Sequence, residues 1–183
     1  MNHFWAHGYY ATSIDQLVTA TGVSRYGLYS EFGDKRGLFL AAAEIYIDEI
    51  VTPALARVER PGAGIDAIRE YFVFQISLAT KKGLPGPGCL LANTMVESGP
   101  QDRAFGRLVT DHLARLHQGF RAVLENDFRK SGAKNAADAD GLARLITIAS
   151  QGLWSVSRVT RTPEPLLEFV NQLLLPAEER TRS

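Results

Sequence analysis

Between its glycine and proline breaks, almost every segment of this chain repeats apolar residues at three- and four-residue intervals, over lengths greater than ordinary strands. That period buries one stripe of an α-helix and cannot bury one face of a sheet, so the sequence predicts an all-α protein. A short helix is expected from about Asn2 to His7, closed by Gly8. Thr12 precedes Ser13, Ile14 and Asp15 as a capping-box-like start for a helix that carries Ile14, Leu17 and Val18 and ends near Ala20. Ser24 caps a short helix from about Arg25 to Ser30. Asp34 caps a long one from Lys35 to about Glu59, which Pro53 is expected to kink by removing a donor and crowding the preceding turn.

Pro61-Gly62-Ala63-Gly64 is the clearest internal break. Beyond it, helices are expected at about 65–82, 89–98, 102–130, 139–160 and 163–175. A Gly/Pro loop lies at 83–88, a polar alanine-rich loop at 131–138, and a charged, frayed tail follows Pro176. The chain has 183 residues, 45% of them hydrophobic, with 20 basic and 20 acidic side chains, which excludes disorder as the dominant state. Cys89 is the only cysteine, so no internal disulfide forms, and a reducing cytoplasm is the expected compartment. No run of about 20 apolar residues is available to span a membrane. Zero net charge, taken alone, argues against a nucleic-acid partner.

One arrangement argues the other way. A helix, a three-residue turn at Thr21-Gly22-Val23 and a short second helix match helix-turn-helix spacing, in which the second helix lies in a DNA major groove. Ile14, Leu17, Val18, Val23, Leu28 and Phe32 are expected to form the small core that sets the angle. Ser24, Arg25, Tyr26, Gly27, Tyr29 and Ser30 then fall on or near the exposed side. Arg25 suits guanine O6 and N7, Tyr26 a thymine methyl, and Gly27 a close backbone approach. Tyr29, Lys35 and the Thr12 hydroxyl are placed for phosphates. The same spacing also fits two core helices joined by a glycine turn.

The wider string separates these readings. Gly8-Tyr9, Ala11-Thr12-Ser13, Gly22-Val23-Ser24, Leu28-Tyr29, Phe32, Lys35 and Leu38-Phe39 resemble, in one register, the N-terminal DNA-binding domain of the TetR family of bacterial transcriptional regulators. The resemblance implies an all-helical homodimer: a three-helix head at residues 1–48 and a ligand-binding and dimerisation domain at 49–183. It further implies a sequence-specific regulator, mostly a repressor, released from a near-palindromic operator when a small molecule moves the connecting helix. Only seven residues precede Gly8, where such proteins carry a full first helix, so that helix is expected to be truncated and Phe4 and Trp5 poorly held. Gly88-Cys89-Leu90-Leu91-Ala92-Asn93, followed by Glu97, is similar to a segment found in one branch of the family.

Candidate ligand contacts are the polar or aromatic residues that interrupt apolar faces: Phe72, Gln75, Cys89, Asn93, Met95, Phe105, His112 and Trp154. Each also fits an ordinary core or rim residue. Cys89 is either a small buried hydrophobe or, in the first turn of a helix after a Gly/Pro loop, a sensor of thiol-reactive effectors. The sequence calls for no cofactor. It shows no metal-ligand spacing beyond a weak His3 and His7 pair. Leu142, Leu145, Ile146, Ala149, Leu153 and Val156, with Leu166, Leu167, Phe169, Val170, Leu173 and Leu174, offer a homodimer face on the last two helices. A helical enzyme with a Cys89 nucleophile and a helical interaction module that binds no DNA are the competing readings. Residues 1–60 hold five basic and seven acidic side chains, which predicts weak non-specific DNA affinity and a modest salt dependence.

Overall fold

The computed structural model describes residues 1–132 and 138–182, and among these every regular element is helical. In chain order they are α1 (Asn2–His7), α2 (Ile14–Thr21), α3 (Arg25–Phe32), α4 (Lys35–Tyr46), α5 (Thr52–Glu59), α6 (Ile65–Lys82), α7 (Leu90–Glu97), α8 (Arg103–Ser131), α9 (Ala139–Val156) and α10 (Glu164–Arg182). A π-helical segment, Ile47–Val51, joins α4 to α5 without a break. Of the polar loop expected at 131–138, residues 133–137 lie outside the described residues.

Local chemistry explains most boundaries. Ser13 caps α2 by accepting from the Gln16 N–H, and the Gln16 side chain accepts in return from the Ser13 N–H. The capping box therefore lies one residue beyond the expected Thr12 and Asp15 pair. Gly22 ends α2 in the left-handed region, Ser24 and Asp34 cap α3 and α4 as expected, and Asp102 caps α8. The irregularity expected at Pro53 falls one turn earlier. Pro53 lies within the continuous α4–α5 helix, and the wider π turn just ahead of it accommodates the missing N–H and relieves the crowding.

Two C-terminal expectations are corrected. Helix α9 stops at Val156 rather than Thr160. The tail after Pro176 is not frayed, because α10 continues through the proline to Arg182. Leu166, Val170, Leu174 and Ala177 form one continuous buried stripe, and Arg69 to Glu178 and Arg180 to Asp138 tie the last turns down. Burial beyond the proline outweighs its lost hydrogen bond.

Helices α6 to α10 pack around Tyr71, Phe72, Phe120 and Trp154, with Phe72 and Phe120 stacked at 6.1 Å and Tyr71 edge-on to Phe120 at 5.4 Å. In front of this bundle sit α1 to α3. Phe4 and Trp5, expected to be poorly held, are both anchored. Phe4 is fully buried and edge-on to Phe39 at 5.1 Å. Trp5 packs on Tyr46 at 5.0 Å while its Nε1 donates to the Gly88 carbonyl.

Candidate nucleic-acid interface and ligand cleft

Helix α3 turns only Leu28 fully inward. Ser24, Arg25, Tyr26, Tyr29 and Ser30 face solvent, Tyr26 at 83% exposure, and Gly27 is half-buried. A Cβ at Gly27 would lie 3.0 Å from Val23 Cγ1, so packing of α3 on its own turn also favours glycine there. The supporting core is smaller than expected. Leu17 and Leu28 are buried, Ile14, Val18 and Phe32 only partly, and Val23 is exposed because the turn lifts it off α2.

The Arg25 guanidinium pairs with Asp15 across the turn, both side chains being well exposed. Such a pair is held weakly and can be exchanged for a base edge or phosphate. Thr12 lies apart from this surface. It is 1% exposed and its hydroxyl donates to the Gly8 carbonyl, which leaves Ser13 as the exposed hydroxyl at that helix start. The Lys35 ammonium donates to the Thr12 carbonyl and sits 4.4 Å above the Tyr9 ring.

A cleft of about 440 Å³ opens where the head meets the bundle. On one side are Trp5 and Ala6 of α1 and Tyr46 and Ile50 of the connecting segment. On the other are Gln75, Leu78, Ala79 and Lys82 of α6, residues of the 83–88 loop, Cys89, and Trp154, Ser157 and Arg158. The fold thus brings together Gln75, Cys89 and Trp154 from the candidate ligand set. Phe72 lies behind Trp154 in the bundle core. Asn93 is outside the cleft but supports its wall, donating from Nδ2 to the Pro87 carbonyl and accepting at Oδ1 from Arg158. Met95 lines a separate groove with Leu113 and Ile148. Phe105 is buried against Tyr9 and Phe39 at the head. His112 is buried on α8, where desolvation and then Arg115 lower its pKa to about 4, keeping it neutral.

Cys89 precedes α7 as its cap residue. Burial raises its thiol pKa, while the Tyr46 hydroxyl and the N–H groups of Ala92 and Leu91 pull the other way. Burial dominates, so the group is a neutral thiol rather than a ready nucleophile.

Several residues that sequence reasoning passed over couple head to bundle. Glu97, at the end of α7, accepts from the Tyr9 and Tyr10 N–H groups at 2.9 and 2.7 Å. Gly8 has φ +83°, and a Cβ there would lie 2.8 Å from a Glu97 oxygen. Asp102, at the start of α8, takes a two-pronged bond from Arg36. That bond, with the Phe105 and Ala104 N–H groups, holds its carboxyl down to about 2. The sequence marked Gly8-Tyr9 as part of the family-like string and Glu97 as trailing the Gly88–Asn93 segment, but nothing in it showed that they meet. Among the described residues, no helix is long and apolar enough to cross a membrane.

Comparison with known proteins fits this architecture to a family. Residues 1–42 match the family model described as bacterial regulatory proteins, tetR family. Residues 64–173 match the one described as tetracyclin repressor-like, C-terminal domain. The chain is 28% identical over 170 residues to the uncharacterized HTH-type transcriptional regulator YezE of Bacillus subtilis, covering 92% of this chain and 87% of that protein. It is 27% identical over 175 residues to the HTH-type transcriptional repressor ComR of Escherichia coli, covering 95% and 83%. Among solved structures, a TetR transcriptional regulator from Chloroflexus aurantiacus superposes with a TM-score of 0.80 at 24% identity, covering 98% of this chain and 89% of that one. A cysteine mutant of the TetR family regulator CifR, complexed with 26bp double-strand operator DNA, superposes at 0.75 and 20% identity, covering 93% and 88%. The chain belongs to the tetR family of bacterial regulatory proteins, and it is a DNA-binding transcriptional regulator rather than an enzyme.

Proposed function

We propose that this regulator is a cytoplasmic repressor that binds a near-palindromic operator as a homodimer and is released when a small effector enters the cleft between head and bundle. The observation that carries this reading is the double lining of that cleft. Trp5, Ala6, Tyr46 and Ile50 belong to the head and its connecting helix, and Gln75, Cys89 and Trp154 to the bundle, so an occupant bears on both units. In the reading head, Arg25 and Tyr26 contact base edges, while Ser24, Tyr29, Ser30 and Lys35 hold phosphates and Gly27 lets the backbone approach. Support for repression and for operator binding comes from ComR, named a repressor, and from the operator complex of CifR. The neutral Cys89 thiol favours a reversibly bound effector over a thiol-reactive one.

The dimer face is the outer side of α9 and α10. Leu142, Ile146, Leu153, Leu166, Val170 and Leu174 are used within the subunit, leaving Leu145, Ile148, Val156 and Phe169 exposed. Such a surplus of apolar surface suits a two-fold partner. Selection of sites from random DNA, followed by footprinting, tests the proposal. A two-fold symmetric protected site bound by two chains is the expected result, and an asymmetric site bound by one chain would refute it. Sedimentation of Ile148→Asp is expected to show monomers.

A further inference from the structure

Resting on the cleft as the effector site, we propose that its ligand is a small organic acid: one anionic group on an apolar body. Among the described residues lining the cleft there is no aspartate or glutamate, while Lys82 and Arg158 stand exposed at its mouth. Neither makes an ion pair with a described carboxylate. Most other arginines do, including Arg25, Arg36, Arg60, Arg69, Arg115 and Arg180. Arg158 instead donates to the neutral Asn93 amide oxygen at 3.1 Å, and the Lys82 ammonium lies 4.9 Å from the centre of the Trp5 ring. Both cations are thus positioned by uncharged partners and keep their charge unneutralised over an apolar lining of Ile50, Leu78, Ala79 and Trp154. The volume of about 440 Å³ suits a single small molecule.

The two partners also supply a route to release. Asn93, which holds Arg158, also holds the Pro87 carbonyl, and Trp5, which sits beneath Lys82, donates to the Gly88 carbonyl. An anion that draws Arg158 from Asn93 and Lys82 from Trp5 loosens the 83–88 loop and the α1 helix of the head together.

Both tryptophans of the chain, Trp5 and Trp154, line the cleft, so intrinsic fluorescence reports its occupancy. Matched pairs, octanoate with octanamide and benzoate with benzamide, are titrated by fluorescence and calorimetry at constant ionic strength. The acids are expected to bind at least about tenfold more tightly than their amides. In the double variant Lys82→Gln, Arg158→Gln that preference is expected to fall to within about twofold, with the far-ultraviolet spectrum unchanged because both side chains are exposed and the segments that carry them are packed through other residues. Amides binding as well as acids, or a double variant that keeps the preference, would overturn the acid assignment and leave the cleft standing as the effector site. If no probe of either kind perturbs the tryptophans, the cleft reading falls and this proposal with it.

Discussion

From Ile14 to Phe32 the head buries only two side chains, Leu17 and Leu28, whereas α6, α8 and α9 share a buried aromatic stack of Tyr71, Phe72, Phe120 and Trp154. The reading unit therefore draws little of its stability from its own core. Its position depends on ties outside the α2–α3 pair: the Phe4, Tyr9, Phe39 and Phe105 rings, Glu97 to the Tyr9 and Tyr10 amides, Asp102 to Arg36, and Trp5 to the Gly88 carbonyl. A unit held through so few contacts shifts as a body when they change, while the packed bundle keeps its shape.

The largest expected effect separates the two cores. Phe120→Ala should lower global stability in urea by about 3–5 kcal/mol, as expected for a fully buried ring. Leu28→Ala should abolish operator binding while leaving the bundle's unfolding midpoint nearly unchanged. If both substitutions shift one common transition, the division into a rigid bundle and a tethered head is broken.

Acid offers the next contrast. The folded-state pKa of His112 is depressed to about 4 against about 6.5 unfolded, so below pH 6.5 the unfolded chain binds more protons. The stability that the neutral ring contributes is complete above pH 6.5 and is lost as pH falls to about 4, by about 3 kcal/mol. His112→Leu should flatten that part of the pH profile in thermal unfolding. The Asp102 carboxyl, held down to about 2, also contributes stability that acid removes, but only as pH falls from the ordinary carboxylate range toward 2. The bundle should therefore weaken at milder acidity than the Arg36 tie.

Glu97→Ala removes the charged acceptor of two backbone donors and should loosen the head by about 1.5–3 kcal/mol. Hydrogen exchange would show this as faster exchange of the Tyr9 and Tyr10 amides with unchanged protection in α8. Equal acceleration in both places would show that Glu97 supports the whole fold and not the tether. The smallest effect on stability is expected for Arg25→Ala, with no resolvable shift of the melting temperature, because its pair with Asp15 is exposed. The same variant should weaken operator binding by about tenfold or more, measured by fluorescence anisotropy.

Much of the reading surface was legible in the sequence. The turn at Gly22, the cap at Ser24 and the inward position of Leu28 each follow from residues within one turn of one another, and together they leave Arg25 and Tyr26 facing outward. Thr12 shows the limit. Whether a hydroxyl at a helix start faces solvent or the preceding carbonyl depends on how the loop folds back, and here it donates to Gly8. The candidate ligand set divided for a related reason. Phe72, Phe105 and Trp154 look alike as aromatic interruptions of an apolar face, but the helices packed on them make one core, one a brace for the head, and one a cleft wall.

Periodicity and capping act over a few residues, so the sequence by itself determined that the chain is helical, where most helices begin, and which short helix faces outward. Tertiary structure alone decided what joins the units. The Glu97 carboxylate meets the Tyr9 amide across 88 positions of chain, the cleft draws on four separate stretches, and α10 outruns Pro176 because its stripe is buried on α6 and α8. Such contacts leave no local mark, since their free energy comes from surfaces that become neighbours only once the helices have packed.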